Sequence, residues 1–241
     1  MGYIEDVVFK KLISPEEVEA LIVEPIQGAG GYIVPPNDFL PGLRRICDKN
    51  DIIMIADEVQ TGFGRTGKMI SCEHWNVIPD IVVMSKAIAA GLPMGACISK
   101  ADLMDWGPTS HENTLGGNPI IVAAALAVLD VLLEEGLMEN AEKVGGYLLK
   151  RFKEMMNEYS IIGDVRGKGM MVGIEFVKDG DTKQYATQER DDLILETFKR
   201  GLLLLGAGPS SIRLAPPLIT TMDQAEIGVR IFEEALKTVS K

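Results

Sequence analysis

Three short apolar runs, each ending in an ionisable residue and followed by glycines, constrain the fold of this chain most strongly. The runs are ALIVE at residues 20–24, DIIMIAD at residues 51–57 and DIVVMSK at residues 80–86. Their apolar residues do not alternate with polar ones, which is typical of strands buried on both faces of a mostly parallel sheet. A helix-like segment at residues 41–50 separates the first two runs. This order favours a βαβ connection.

The ends of these three predicted strands carry Glu24, Asp57 and Lys86. In open α/β sheets, ligands bind beyond the carboxyl ends of the strands, and the glycines that follow allow close backbone approach. A partly desolvated lysine at such an end is a candidate Schiff-base nucleophile. An acid on a neighbouring strand can hold a pyridine nitrogen protonated. From spacing alone, a structural ion pair between Asp57 and Lys86 is an equally good interpretation.

Charge and hydropathy exclude two classes of partner. The 241 residues carry a net charge of −11 without any cluster of Lys and Arg, so nucleic acid is not expected as a partner. The longest apolar stretch, residues 119–133, is too short to span a bilayer and contains Asp130. Residues 1–11 lack the apolar core of a signal peptide. We therefore expect a soluble protein with no membrane partner.

The number and spacing of the cysteines and histidines do not indicate a metal site or a disulfide framework. Cys47, Cys72 and Cys97 contain no CxxC pair, so neither a disulfide framework nor a thiolate metal site is indicated. This usage fits a reducing, cytoplasmic setting. His74 and His111 are the only histidines, which argues against histidine-based zinc chemistry.

The second half of the chain has a different pattern, in which predicted helices and strands alternate without an obvious parallel core. This pattern is typical of a second, α+β domain. The predicted segments are helices at residues 118–135 and 140–159, a strand at residues 169–177, a helix at residues 183–200, a hairpin-type pair of strands in GLLLLG and SIRLAP, and a closing helix that begins near Thr221.

Six motifs, taken in order, resemble those of the class III aminotransferases. They are EPIQGAGG, IADEVQTGFGRTG, SKAIAAGLPMGA, HENTLGGNP, GDVRGKGMMVGIE and SIRLAPPL. The resemblance covers nearly the whole chain. It implies a pyridoxal 5'-phosphate enzyme of fold type I, the family that includes 4-aminobutyrate, ornithine and alanine–glyoxylate aminotransferases. It further implies a partial α/β large domain with a mostly parallel sheet over residues 1–138, and a small C-terminal α+β domain over residues 139–241.

The resemblance assigns five residues to the cofactor. Lys86 matches the lysine that bonds covalently to the cofactor and later moves a proton. Asp57 matches the carboxylate that faces the pyridine nitrogen, and Gln60 the residue that hydrogen-bonds the phenolic oxygen. Val59 matches the apolar residue packed on the ring face. Thr114 matches the hydroxyl that binds the phosphate across a dimer interface.

The resemblance also separates substrate-binding residues from supporting ones. Arg213, in SIRLAPP, matches the arginine that pairs with the substrate α-carboxylate, for which its planar guanidinium is suited. Glu24 is expected to support the hydrogen-bond network around the cofactor. Glu58 and Arg166 are expected to be structural, and His111 to be a loop or interface residue.

Three departures from the family pattern bear on function. Ala29 stands where many ω-aminotransferases carry a Glu that neutralises the substrate arginine. Its absence weakens a 4-aminobutyrate or ornithine assignment and makes an α-amino acid donor an equally good interpretation. Ala87 follows the lysine where Gly is common, and we expect this methyl group to be tolerated. Family members are also longer at the N-terminus. We therefore expect an exposed sheet edge and an apolar surface that another chain covers, in a homodimer or by association with a missing N-terminal half.

The leading hypothesis is an aminotransferase, or a part or subunit of one, that moves an amino group to a 2-oxo acid. The donors considered are 4-aminobutyrate, ornithine and alanine. An amino-acid racemase of the same family is the first alternative. An inactive, truncated remnant is the second, although the retained Asp57, Lys86 and Arg213 argue against long decay.

Overall fold

The computed structural model describes residues 1–240, which form two compact units. We call them the N-terminal unit and the C-terminal unit. The N-terminal unit comprises residues 1–25, 35–63 and 68–135, and the C-terminal unit comprises residues 26–34, 64–67 and the chain from Gly136 onward.

The N-terminal unit is built on a four-stranded sheet. Its strands are β1 (Ala20–Val23), β2 (Ile53–Asp57), β3 (Ile81–Met84) and β4 (Ala96–Ser99), in that spatial order. The strands β1, β2 and β3 are parallel, as the sequence predicts, whereas β4 is antiparallel to β3. The reversal follows from the connection, because residues 85–95 contain no crossover helix that could return the chain to the start of the sheet.

Two α-helices complete this unit, α1 (Phe39–Asn50) and α2 (Pro119–Glu134). Helix α1 buries one apolar face, and its Arg44 donates to the carboxylate of Asp80 at 2.7 Å. The same carboxylate accepts the amide of Met54 in β2 at 2.8 Å, so this ion pair fixes α1 against the sheet. A π-helical segment over Ile4–Leu12 was not predicted. Its charged residues hide the apolar periodicity.

Part of the apolar surface of the N-terminal unit is exposed. Ile22 on β1 is 65% exposed, and Ile120 at the start of α2 is 76% exposed. Ile98 on β4, together with Leu126 and Leu133 on α2, is also exposed. Within residues 1–240, β1 pairs with β2 alone and leaves its other edge free. The sequence predicted an exposed edge and an apolar surface of this kind.

The C-terminal unit packs three helices on an antiparallel sheet. Its elements are α3 (Leu137–Glu158), β5 (Ile162–Lys168), β6 (Met171–Phe176), α4 (Thr187–Lys199), β7 (Leu205–Ala207), β8 (Ser211–Leu214) and α5 (Met222–Val239), with the strand order β5-β6-β8-β7. The unit encloses its own core, around Phe152, Phe176 and Phe232. The strand β5 was not predicted, because its glycines and charged residues obscure the pattern of a strand.

Two absences hold for the part of the chain that the structure describes. No helix in residues 1–240 combines the length and apolar character needed to cross a membrane. The same residues contain no group of three or more His, Cys, Asp or Glu side chains arranged to hold a metal ion.

A pair of adjacent glycines in α3 tests the packing of the C-terminal unit. A Cβ at Gly145 would lie 1.9 Å from the carbonyl oxygen of Gly169, whereas a Cβ at Gly146 would meet open space. We expect Gly145→Ala to lower the free energy of unfolding by about 1–3 kcal/mol or more through overpacking. We expect Gly146→Ala to raise it by about 0.5–1 kcal/mol through helix propensity. Equal effects of the two substitutions in urea unfolding would contradict this packing.

Candidate functional site

Parallel pairing brings three strand ends of the N-terminal unit to one edge of its sheet. Val23 pairs with Ala56, and Asp57 pairs with Val83, in register. Neighbouring strands lie about 4.8 Å apart. Glu24, Asp57 and Lys86 therefore follow three adjacent strands at the carboxyl edge, where open α/β sheets bind ligands.

Lys86 begins a single 3-10 turn, Lys86–Ala89, directly after β3. Its φ is +45°, in the left-handed region that side chains other than Gly rarely adopt, and strain of this kind clusters at functional sites. The hydroxyl of Ser85 donates to the carbonyl of Met94 at 2.7 Å and closes the loop that carries the lysine. The Lys86 side chain is exposed and forms no ion pair within residues 1–240, so the structural pairing with Asp57 is not observed.

Asp57 ends β2 and is half-buried. One of its carboxylate oxygens accepts the amide of Val59 at 3.0 Å, which orients the carboxylate through its own turn. Val59 and Gln60 are half-buried in the same turn. An acid, an apolar residue and an amide therefore follow one another within four residues at the carboxyl edge of the sheet.

Glu58 takes no part in this edge, because it is buried in the N-terminal unit. Its carboxylate accepts the hydroxyl of Thr61, the hydroxyl of Ser71 at 2.8 Å and the amide of Cys72 at 2.9 Å. Burial, reinforced by the Glu58 carboxylate, raises the pKa of the Cys72 thiol far above its usual range. Glu58 thus ties the turn after β2 to residues 71–72, a structural role as the sequence predicts.

Thr114 lies in an exposed loop of the N-terminal unit. The side chain of Asn113 accepts the amides of Leu115 at 3.1 Å and of Gly116 at 3.0 Å, which shapes the loop around the threonine. The exposed hydroxyl of Thr114 is accessible to a ligand or to another chain. His111 is also exposed, and its ring lies 6.1 Å from that of Trp106.

Arg213 lies on β8 of the C-terminal unit. It forms no ion pair within residues 1–240, and its buried Nε has no hydrogen-bond partner among them. Arg166, in contrast, pairs with Asp164 and Glu175, each at 2.7 Å, and donates to the carbonyl of Gly31 at 2.7 Å. Arg166 is therefore structural, whereas Arg213 is a cation without a carboxylate partner.

Two further residues of the C-terminal unit, which the sequence did not single out, accompany Arg213. Tyr32 is buried, and burial raises the pKa of its hydroxyl, an effect that the charges of Arg213 and Arg65 oppose. Arg65 donates to the carbonyls of Met170 and Pro216 and has no carboxylate partner in the described residues. Burial lowers the pKa of Arg65. In the sequence, the arginine of GFGRTG and the tyrosine directly after EPIQGAGG could have indicated these two residues.

The side chains at the carboxyl edge fit the donor set that a pyridine aldehyde phosphate requires. An exposed amine on Lys86 can bond to the aldehyde carbon, and the carboxylate of Asp57 can accept a hydrogen bond from a protonated ring nitrogen. The amide of Gln60 can donate to a phenolic oxygen. The chemical types of these side chains therefore match those that pyridoxal phosphate requires.

Comparison with known sequences identifies a family and several relatives. Residues 3–236 match the family model described as aminotransferase class-III. The chain is 40% identical over 234 residues to a leucine/methionine racemase of Thermococcus litoralis, covering 97% of this chain and 53% of that protein. It is 39% identical over 239 residues to an alanine/serine racemase of Pyrococcus horikoshii, covering 98% of this chain and 50% of that protein.

Solved structures give the same fold. An amine transaminase from an uncultivated Pseudomonas species, in its PLP-bound form, is 42% identical with a TM-score of 0.86, over 91% of this chain and 52% of that one. The acetylornithine aminotransferase of Elizabethkingia anophelis is 37% identical with a TM-score of 0.87, over 96% of this chain and 56% of that one. The chain thus spans about half the length of the relatives it matches.

The contacts of Glu58 lead to a stability test of its structural role, with an exposed glutamate as the reference. We expect Glu58→Ala to lower the free energy of unfolding by about 2–4 kcal/mol, because buried hydroxyl and amide donors lose their acceptor. Glu134→Ala, at the exposed end of α2, is the matched control and should change it by about 0.5 kcal/mol or less. Chemical denaturation measures both. A Glu58→Ala variant as stable as the control would contradict the structural role.

Proposed function

The chain belongs to the class III aminotransferase family, and from this premise we propose that it forms the lysine-bearing part of a pyridoxal-phosphate-dependent aminotransferase. The observation that carries the proposal is the parallel pairing of β2 with β3, which brings Asp57 and Lys86 to one edge of the sheet. Because the chain spans about half the length of its relatives, the activity of the whole protein is part of the proposal.

The residues proposed to hold the cofactor lie in the N-terminal unit. Lys86 would bond to its aldehyde carbon, and Asp57 would pair with its ring nitrogen. Gln60 would donate to its phenolic oxygen, and Val59 would pack on the ring. The exposed hydroxyl of Thr114 would bind its phosphate across a dimer interface. We also propose the large and small domains as residues 1–138 and 139–241.

When bound, the cofactor supplies an electron sink that stabilises negative charge at the substrate α-carbon. The protein's own residues direct this chemistry. The amine of Lys86, when neutral, takes the α-proton of the substrate, and the strained turn around it fixes the direction of approach. The negative charge of Asp57 keeps a proton on the ring nitrogen that it faces. Arg213 holds the substrate carboxylate and so orients the bond to be broken.

We propose an α-amino acid as the amino donor and a 2-oxo acid as the acceptor. Ala29 lies in the C-terminal unit. Its carbonyl accepts the amide of Gly208 at 3.0 Å, in the turn that leads into β8. An alanine there supplies no carboxylate to neutralise Arg213, and Arg213 has no carboxylate partner within residues 1–240. A guanidinium without an internal carboxylate partner suits an α-amino acid, because every such substrate carries an α-carboxylate.

An amino-acid racemase of the same family is the second candidate, and the two curated racemases that the chain matches favour it. A racemase would return the α-proton to the opposite face of the substrate. An inactive remnant is the third candidate, against which the free amine of Lys86 and the unpaired Arg213 both argue.

Assembly and location also belong to the proposal. The exposed apolar residues of β1, β4 and α2 support association with a second chain, either a homodimer or a polypeptide that supplies the N-terminal half present in the relatives. Cys47, Cys72 and Cys97 are all free thiols, which supports a cytoplasmic location.

Reductive labelling tests the role of Lys86 directly. We expect borohydride to fix pyridoxal phosphate onto the Lys86 peptide of the full gene product, because only an amine bonded to the aldehyde is trapped. Mass spectrometry of the digested protein locates the label. Lys68→Ala, which removes another exposed lysine of the N-terminal unit, should keep the label, whereas Lys86→Ala should lose it. A label distributed equally over several lysines would overturn the assignment.

Product analysis separates the aminotransferase from the racemase. We expect the full gene product, given an L-amino acid and pyruvate, to form alanine and the 2-oxo acid of the donor in equal amounts. Without a 2-oxo acid, the donor should keep its configuration during an incubation long enough for many turnovers. Appearance of the D-enantiomer without any oxo acid, measured by chiral chromatography, would instead support the racemase. Neither product would support the inactive remnant.

A further inference from the structure

The turn that follows β2 is held through every polar group of Glu58. The amide of Glu58 donates to the carbonyl of Val83 at 2.9 Å and continues the β2–β3 ladder past Asp57. The carbonyl of Glu58 accepts the amide of Gly62 at 2.9 Å and closes the turn. Its buried carboxylate accepts two hydroxyls and one backbone amide. Residue 58 is therefore fixed from its backbone and from its side chain.

The peptide group between residues 58 and 59 links this anchor to the carboxylate of Asp57. A peptide group is planar and rigid, so the direction of its carbonyl also sets the direction of its amide. Here the carbonyl belongs to Glu58 and is fixed by its bond to the amide of Gly62. The amide belongs to Val59 and donates to the Asp57 carboxylate at 3.0 Å. The orientation of the Asp57 carboxylate thus depends on a peptide plane that Glu58 holds.

The close packing of the turn leaves this peptide plane little room to rotate. A Cβ at Gly62 would lie 2.9 Å from the carbonyl oxygen of Glu58 and 3.3 Å from its Cβ. On the side-chain side, Ser71 and Cys72 donate to the carboxylate at 2.8 and 2.9 Å. Removing the carboxylate would leave residue 58 held by its backbone alone.

We propose that Glu58 is a positioning residue of the cofactor site and that it acts through Asp57. By holding the 58–59 peptide plane, Glu58 directs the Asp57 carboxylate toward the ring nitrogen of pyridoxal phosphate. Hydrogen bonds weaken steeply when their geometry departs from linear, so a misdirected Asp57 would pair poorly with a protonated ring nitrogen. This inference rests on the proposed function, because that function gives Asp57 its partner.

Substitutions at the turn separate the geometry of Glu58 from its charge. Glu58→Ala removes the carboxylate and releases the turn. Glu58→Gln keeps an acceptor oxygen of the same reach without the charge, and the hydroxyl of Thr61 can accept from its amide nitrogen. Ser71→Ala removes a single donor and is the milder variant. Ile52→Ala is the matched control, because it opens the core of the same unit directly before β2, roughly 20 Å along the strand from Glu58.

Equilibrium titration of the full gene product with pyridoxal phosphate tests the positioning role without requiring turnover. We expect Glu58→Ala to weaken binding by about tenfold or more, because a misplacement of about 1 Å can cost on the order of 100-fold. Ser71→Ala should weaken binding less, and Glu58→Gln should bind as the unsubstituted protein does. Ile52→Ala should also bind normally. Circular dichroism selects a temperature at which each variant is folded.

A double-mutant cycle with Asp57→Asn tests whether Glu58 acts through Asp57. The asparagine oxygen can still accept the amide of Val59, but the side chain carries no charge for the ring nitrogen. In the Asp57→Asn background, Glu58→Ala should therefore weaken binding by only about twofold or less. The absorbance spectrum of the bound cofactor responds to protonation of its ring nitrogen. Glu58→Ala alone should shift this spectrum in the same direction as Asp57→Asn.

The outcomes separate the inference from the proposed function. The inference is wrong if folded Glu58→Ala binds as tightly as Ile52→Ala, if Glu58→Gln is as weak as Glu58→Ala, or if the effects of Glu58→Ala and Asp57→Asn simply add. Should Glu58→Ala not fold, normal binding by Ser71→Ala overturns the inference instead. In each of these cases the proposed function stands if borohydride labels Lys86 of the unsubstituted protein. If that protein neither binds pyridoxal phosphate nor is labelled, the proposed function and the inference both fail.

Discussion

The parallel pairing of β2 with β3 is the constraint on which the candidate site depends. In this register Asp57 lies beside Val83, so the residues that follow the two strands leave the sheet at the same edge. Successive residues of a strand point to opposite faces, so Asp57 and Glu58 cannot both turn toward one ligand. The chain uses this alternation: Glu58 is buried and fixes the turn, and Asp57 remains available.

The second determinant is a positive charge that the protein does not neutralise. Arg213 keeps a buried Nε without a partner, which costs free energy in the folded protein. The carbonyl of Ala29 accepts the amide of Gly208 before β8, and its side chain is a methyl group that carries no charge. Substrate binding, and not an internal ion pair, would then satisfy the guanidinium.

Sequence reasoning predicted the strands β1, β2 and β3 and the structural roles of Glu58 and Arg166, because apolar runs and motif order carry that information. It did not predict the direction of β4, which depends on a loop that lacks a helix. It also did not single out Tyr32, whose left-handed backbone angle no residue pattern encodes.

The two units differ in how completely they bury their own apolar residues. The C-terminal unit encloses a core in which Phe152, Phe176 and Phe232 are almost fully buried. The N-terminal unit leaves Ile22 and Ile120 mostly exposed. Since burying an aliphatic side chain contributes roughly 1.5–3 kcal/mol, several such residues give a second chain a substantial driving force for association. Lys86 and Asp57 belong to the unit with the exposed surface, so a chain that covers this surface would also stabilise the sheet edge at which the proposed site lies.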